Sequence, residues 1–215
     1  MIELSNVSKV YHTRSGPRRV LDDVSFTIRR GQSIGIMGKN GAGKSTLTRV
    51  LSGVEFPTSG TVERNMTVSW PLGYAGAFQS SLTGADNTRY IARIYGIPIK
   101  ETLEYVEDFA QLGSYFRMPI KTYSAGMHAR LAFGVSLAIS FDCYLVDEVV
   151  SVGDHRFAER CERALKERRE RGALLMISHS VSTLQAYCET GALMNDGKLI
   201  FFDSLEETER AYHDL

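Results

Sequence analysis

GKNGAGKS, Gly38 to Ser45, is the stretch on which the fold turns. It fits the pattern G-x-x-x-x-G-K-[ST] and continues into Thr46. Its glycines let the main chain wrap closely around phosphate groups, with successive N–H groups pointing inward. A dense apolar run, SIGIM at Ser33–Met37, leads into the loop, and a helical stretch from Lys44 to Ser52 leads out of it. That helix begins at its positive dipole end, which reinforces anion binding. Lys44 is expected to reach the β- and γ-phosphates of a nucleotide, and the Ser45 hydroxyl to coordinate Mg2+. Gly38, Lys39, Asn40, Gly41, Ala42, Gly43 and Thr46 complete the expected nucleotide-binding set.

Two further apolar runs lie downstream, CYLV at Cys143–Val146 and ALLMI at Ala173–Ile177. Neither alternates with polar residues, as expected of strands buried on both faces of a parallel sheet. Between them RFAERCERALKERRERG is rich in helix formers, reads as a charge-laced solvated face, and has Gly172 suited to its end. Strand, helix and strand in that order imply an α/β core. The first of these strands delivers two carboxylates, Asp147 and Glu148, at its C-terminal end, where open α/β sheets bind ligands. Alone, that is equally a plain strand end. Beside a phosphate loop, Asp147 is placed to hold Mg2+ and Glu148 to polarise an attacking water.

The first thirty residues read as strands, with Val24, Phe26 and Ile28 alternating with Ser25 and Thr27. TRSGPRR at Thr13–Arg19 reads as a turn or loop. From about Gln79 to Ser140 the character changes. NTRYIARIYG and ETLEYVEDFAQLG read as helices with apolar faces, hence a helical insertion. Leu193–Phe202 reads as a hairpin turning at Asp196-Gly197.

Composition narrows the classes. The 215 residues suffice for one sizeable core, and 25 basic side chains balance 25 acidic ones, which gives no push toward nucleic acid or anionic lipid. Cys143, Cys161 and Cys188 are odd in number and widely spaced, which suits neither a disulfide framework nor a zinc set. The opening IELSNV does not read as a signal peptide, and the apolar stretch around Leu131–Ile139 is too short to span a bilayer.

YSAGM, Tyr123 to Met127, stands at the start of a helix just upstream of CYLVDE. It resembles the signature motif of ATP-binding cassettes, usually written LSGGQ, with Tyr123, Ala125 and Met127 as departures. The resemblance covers the whole chain and implies one cassette domain over 1–215. Its fold would be an α/β P-loop ATPase core with an N-terminal antiparallel β subdomain and an α-helical subdomain at about 80–140. It implies ATP and Mg2+ as ligands, and Ser124, Ala125, Gly126 and Met127 as contacts to an ATP held by a second copy. Ser124 is also a good N-cap, and an ordinary capped helix is the plain alternative. Gln79 in AFQSSLTG resembles the glutamine that contacts Mg2+ and nucleophilic water. Asp154 in SVGD resembles the dimer-interface aspartate, and His179 in MISHS the histidine that contacts the γ-phosphate. A lone histidine at a strand end is otherwise most often structural. Tyr11 resembles the aromatic that stacks on adenine.

DEVVSVGD, Asp147 to Asp154, and WPLGYAGAFQSSLTG, Trp70 to Gly84, are similar to the ATP-binding subunits of bacterial capsular polysaccharide exporters. A chain ending at Leu215, without an added carbohydrate-binding domain, favours that type over O-antigen exporters. Export of another glycan, O-antigen or teichoic-acid-like, is the alternative cargo. The resemblance implies a homodimer at the cytoplasmic face of the inner membrane, held there by permease subunits docked on the helical subdomain, with no nucleic acid. Tyr90, Tyr95, Tyr115 and Phe116 are candidates for an aromatic docking groove, and each serves equally as subdomain packing. A soluble cassette acting on nucleic acid or ribosomes would be expected to carry a second cassette or a long coiled-coil insertion. A small-molecule kinase would not need YSAGM or His179.

Overall fold

Alternation in the N-terminal segments becomes an antiparallel ribbon in the computed structural model of the chain, which describes residues 1–73, 76, 78–147 and 155–215. Strand β1, Ile2–Thr13, pairs with β2, Gly16–Ile28, and Leu21, Val24 and Ile28 point into the core. The expected loop through Arg19 is shorter than the sequence suggests. Only Arg14 and Ser15 turn, and pairing resumes at once as Thr13 with Gly16, His12 with Pro17 and Tyr11 with Arg18. Two features permit this. Gly16 takes a φ of 113°, and Pro17 lies on β2, an outer strand of its sheet, where a missing N–H is tolerated.

The chain divides into two compact units, the first comprising Met1–Pro71, Phe141–Glu148 and Lys166–Leu215. Its remaining strands are β3 (Ser33–Met37), β4 (Ser59–Arg64), β5 (Val68–Pro71), β6 (Cys143–Asp147), β7 (Ala173–Ile177), β8 (Thr190–Asn195) and β9 (Lys198–Phe202). Among the described residues they form a three-stranded sheet, β2-β1-β4, and a six-stranded sheet, β5-β6-β7-β3-β8-β9. The larger sheet is parallel from β5 to β8, and β9 returns antiparallel. Every residue of β3 and β7 is buried, and β6 is buried up to Val146, as expected of strands covered on both faces. Ile2, Leu4, Ile34, Ile36, Leu47, Leu145 and Leu175 share one apolar cluster that joins the two sheets. Asp196 and Gly197 turn the β8–β9 hairpin with φ of 44° and 80°, the left-handed pair that a two-residue hairpin turn requires.

Helix α1, Lys44–Leu51, leaves the phosphate loop. Among the described residues three more α-helices follow in the chain before β6: α2, Gly84–Ile94; α3, Ile99–Ala110; and α4, Ala125–Ala138. They belong to the second unit, Leu72–Ser140 and Val149–Leu165. Its interior is built on Phe109, Phe116, Leu131, Phe133 and Phe157. Phe116 is 1% exposed and therefore packs this interior instead of lining a groove, whereas Tyr90, Tyr95 and Tyr115 are 57%, 43% and 45% exposed.

Helix α5, His155–Arg171, is charged along most of its surface but not all of it. Phe157, Cys161 and Leu165, at helical spacing, are buried. Gly172 after it serves close approach: a Cβ there would stand 2.7 Å from the Asp142 carbonyl oxygen. Helices α6, Val181–Tyr187, and α7, Leu205–His213, complete the first unit.

Candidate active site

The glycines of the phosphate loop are required by their neighbours. Gly43, which precedes α1, has a φ of 114°, and a Cβ there would meet the Val20 carbonyl oxygen at 2.6 Å. At Gly38 a Cβ would come within 2.3 Å of the Met194 carbonyl oxygen. The loop is fastened from the side by the β8–β9 turn. Gly197 N–H donates to the Ala42 carbonyl at 3.1 Å, and Asp22 N–H donates to the Gly197 carbonyl at 2.9 Å. The turn thus clips the loop to β2, and the Ala42 methyl joins the apolar core.

A cavity of about 390 Å³ opens beside this loop. Asn40, Gly41, Gly43, Lys44, Ser45 and Thr46 form one wall, and Tyr11, Thr13, Arg18 and Val20 of the ribbon form the other. Lys44 is 8% exposed, and its ammonium donates to the carbonyls of Gly38 at 2.5 Å and Lys39 at 3.0 Å. The Lys39 side chain turns elsewhere and donates to the main-chain oxygen of Leu215 at 2.7 Å. The Tyr11 hydroxyl is hydrogen-bonded to Glu55, and the Lys9 ammonium stands 5.3 Å over its ring. Two side chains therefore fix the ring against the cavity.

Ser45 and Asp147, about a hundred residues apart in sequence, converge at the mouth of the loop. Ser45 Oγ donates to Asp147 Oδ2 at 3.4 Å. The meeting follows from topology: the loop leaves β3, Asp147 ends β6, and β7 alone separates them in the sheet. One hydroxyl and one carboxylate oxygen this close are hard donors suited to Mg2+, so the residues present fit that ion. Asp147 pairs in register with Ile177, and His179 lies just beyond it at the same sheet edge. The Tyr212 hydroxyl of α7 and His179 Nδ1 are 3.4 Å apart, a partner that no sequence pattern indicated.

Glu148 and Asp154 lie outside the described residues. Gln79 belongs to the second unit, where its N–H donates to Asn87 Oδ1 at 2.8 Å and its carbonyl accepts from Asn87 Nδ2 at 3.1 Å. Asn87 also donates to the Thr83 carbonyl at 2.9 Å, so one side chain on α2 holds the Gln79 backbone. In the same unit Ser124 caps α4, its Oγ accepting from Met127 N–H at 3.2 Å. Ala125, Gly126 and Met127 form the first turn of that helix. Tyr123 donates its hydroxyl to the Tyr115 carbonyl at 2.6 Å, which anchors the turn from below. No helix among the described residues is long and apolar enough to cross a membrane.

A model of the ABC transporter family matches residues 21–151. The chain is 49% identical over 215 residues to the capsule polysaccharide export ATP-binding protein CtrD of Neisseria meningitidis serogroup B, covering 100% of both chains. It is 48% identical over 214 residues to the ATP-binding protein BexA of Haemophilus influenzae, covering 100% of this chain and 99% of that one. Among solved structures it resembles the dimeric ATP-binding cassette MJ0796 bound to ADP and Pi. The TM-score is 0.83 at 20% identity, over 95% of this chain and 99% of that one, a likeness of fold. The expected α/β cassette fold is thus present, and with a family match over more than half its length and such relatives along all of it, the chain belongs to the ABC transporter family.

Proposed function

We propose that this chain is the ATP-hydrolysing subunit of an exporter that moves capsular polysaccharide across the bacterial inner membrane. The observation that carries the chemistry is the convergence of Ser45 and Asp147 at 3.4 Å beside the cavity under the phosphate loop. The cargo assignment is supported by full-length likeness to a capsule polysaccharide export ATP-binding protein.

Lys44 exchanges its two carbonyl partners for phosphate oxygens and neutralises charge that builds on the transferred phosphoryl group. Gly41 and Gly43 bring main-chain N–H groups close to the phosphates, and Tyr11 stacks on the adenine. Ser45 and Asp147 would hold Mg2+, with Gln79 as the further ligand that the family resemblance implies, and the ion would supply positive charge to offset that of the phosphates. Glu148 follows Asp147 directly and is the base that polarises the attacking water, with Gln79 and His179 orienting it. Ser124 to Met127 of one copy contact the ATP held by another, and Asp154 lies at the interface between copies. A helix N-terminus capped by Ser124 suits that anion contact.

Exposed Tyr90, Tyr95 and Tyr115 of the second unit offer a surface for permease subunits, through which the chain sits on the cytoplasmic membrane face. Closing on ATP and reopening after hydrolysis would rock those subunits between inward and outward access. The test is genetic and biochemical together. Deleting the gene should strand capsular polymer in the cytoplasm. The wild-type gene should restore export, and Glu148→Gln should bind ATP without turnover or rescue. Surface polymer at normal levels in the deletion strain, or stranding of a different glycan, would overturn the cargo. Unchanged ATPase activity in Glu148→Gln would remove that residue from its role.

A further inference from the structure

Arg18 is a cation of the nucleotide cavity that no sequence motif accounts for. The tight ribbon sets Tyr11 directly opposite Arg18, so the two side chains leave the same face, and both line the cavity. One guanidinium nitrogen of Arg18 lies 3.9 Å from the point that a Cβ on Gly41 would occupy. With no side chain at Gly41, the guanidinium overhangs the bare backbone of the phosphate loop.

The nearby carboxylates among the described residues are engaged elsewhere: Glu55 with Tyr11 and Asp147 with Ser45. Arg19, the neighbour of Arg18, is engaged by Asp22 at 2.5 Å. The Arg18 side chain, by contrast, enters no ion pair or hydrogen bond among the described residues. Among the described residues, those lining the cavity include two cations, Arg18 and Lys44, and the Asp147 carboxylate stands behind Ser45 at the loop mouth. Two cations beside a loop of main-chain donors favour a polyanion over a neutral ligand. A guanidinium is suited to this place, because its planar fork takes two phosphate oxygens at once.

We infer that Arg18 is a further nucleotide-binding residue, contacting the phosphate chain from the ribbon side while Lys44 contacts it from the loop side. This rests on the reading of the cavity as a nucleotide site. It makes the hairpin turn at Arg14-Ser15 part of the binding apparatus, since a one-residue slip of the ribbon would carry Arg18 to the opposite face.

The experiment titrates Mg-ATP and Mg-ADP into the full chain and into Arg18→Gln and Arg18→Lys at two ionic strengths, with the ligand-free melting temperature of each. Arg18→Gln should weaken both nucleotides by about 5–20-fold, with a shallower salt dependence and an unchanged ligand-free melting temperature. Arg18→Lys should recover part of the loss. Wild-type affinity in Arg18→Gln would overturn the inference. So would a loss that Arg18→Lys does not lessen and that comes with a lower ligand-free melting temperature, since that marks a folding role for the hairpin. A wild-type chain that bound no Mg-nucleotide would overturn the site reading itself, and this inference with it.

Discussion

Replacing Gly43 with Ala tests whether the phosphate loop is shaped by the ribbon beneath it. Gly43 has a φ of 114°, and an added Cβ would meet the Val20 carbonyl oxygen at 2.6 Å, a main-chain atom that cannot swing aside. Gly31 supplies a control, since its φ is 80° and nothing lies within 4 Å of the Cβ position. Both substitutions carry the strain of a left-handed backbone, about 1–2 kcal/mol. Gly43→Ala adds an overlap that forces either the loop or β2 to move, a further ~1–3 kcal/mol by analogy with overpacked cores. Urea unfolding followed by circular dichroism should therefore show Gly43→Ala less stable than Gly31→Ala by that further amount. Displacement of the loop N–H groups should also weaken Mg-ATP binding at least ~10-fold in Gly43→Ala alone, the loss of roughly one charge-assisted hydrogen bond. Equal destabilisation in the two variants, with nucleotide affinity intact in both, would refute the claim that Val20 and Gly43 are in contact.

Asp142 accepts a hydrogen bond from Thr67 N–H at 2.9 Å and pairs with Arg30 at 2.8 Å, so Asp142→Ala should lower stability by about 1–3 kcal/mol in urea unfolding. The hydrogen bond from the Thr67 backbone, ahead of Arg30, holds its carboxyl below the usual carboxylate range. The stability it adds is thus present above its ordinary range near pH ~4 and is lost as pH falls through the lowered value. The acid limb of the wild-type stability curve should accordingly be steeper than that of the variant. Burial pushes the thiols of Cys143, Cys161 and Cys188 up to about 12. At pH 8 they should not react with Ellman's reagent until urea unfolds the chain; prompt reaction of any one would contradict its burial. Their contribution to stability is complete below their ordinary value near pH ~9 and declines as pH rises toward the folded value. Tyr212→Phe removes the hydroxyl beside His179 Nδ1, and should lower kcat about 2–5-fold with KM for ATP unchanged. A matching rise in KM would point to disturbed nucleotide binding instead.

Local signals carried most of what the sequence disclosed. The phosphate loop, the buried runs SIGIM, CYLV and ALLMI, the Ser124 cap and the Asp196-Gly197 turn each rest on neighbours within a few residues. Each took the expected conformation. What stayed hidden depends on which segments meet. TRSGPRR contains every mark of a loop, yet pairing with β1 draws all but two of its residues into a hairpin. Arg18 therefore became a cavity residue only once its register was known. Gly172 ends a helix as expected, but the Asp142 carbonyl, distant in sequence, is what excludes a side chain there. Phe116 and Tyr115 are adjacent aromatics, and only the packing of the second unit decides that one is buried and the other exposed. Tyr212 lies near the end of the chain, in a helix whose pattern gives no hint of the strand end it faces.

The most direct measurement is equilibrium titration of Mg-ATP into the purified chain and into Lys44→Ala. The wild-type chain should bind about one nucleotide per copy through its single loop of this pattern. Lys44→Ala should bind at least ~10-fold more weakly, because a buried cation facing the phosphates has been removed. No binding by the wild type, or equal binding by the two, would contradict a phosphate cradle at Gly38–Ser45.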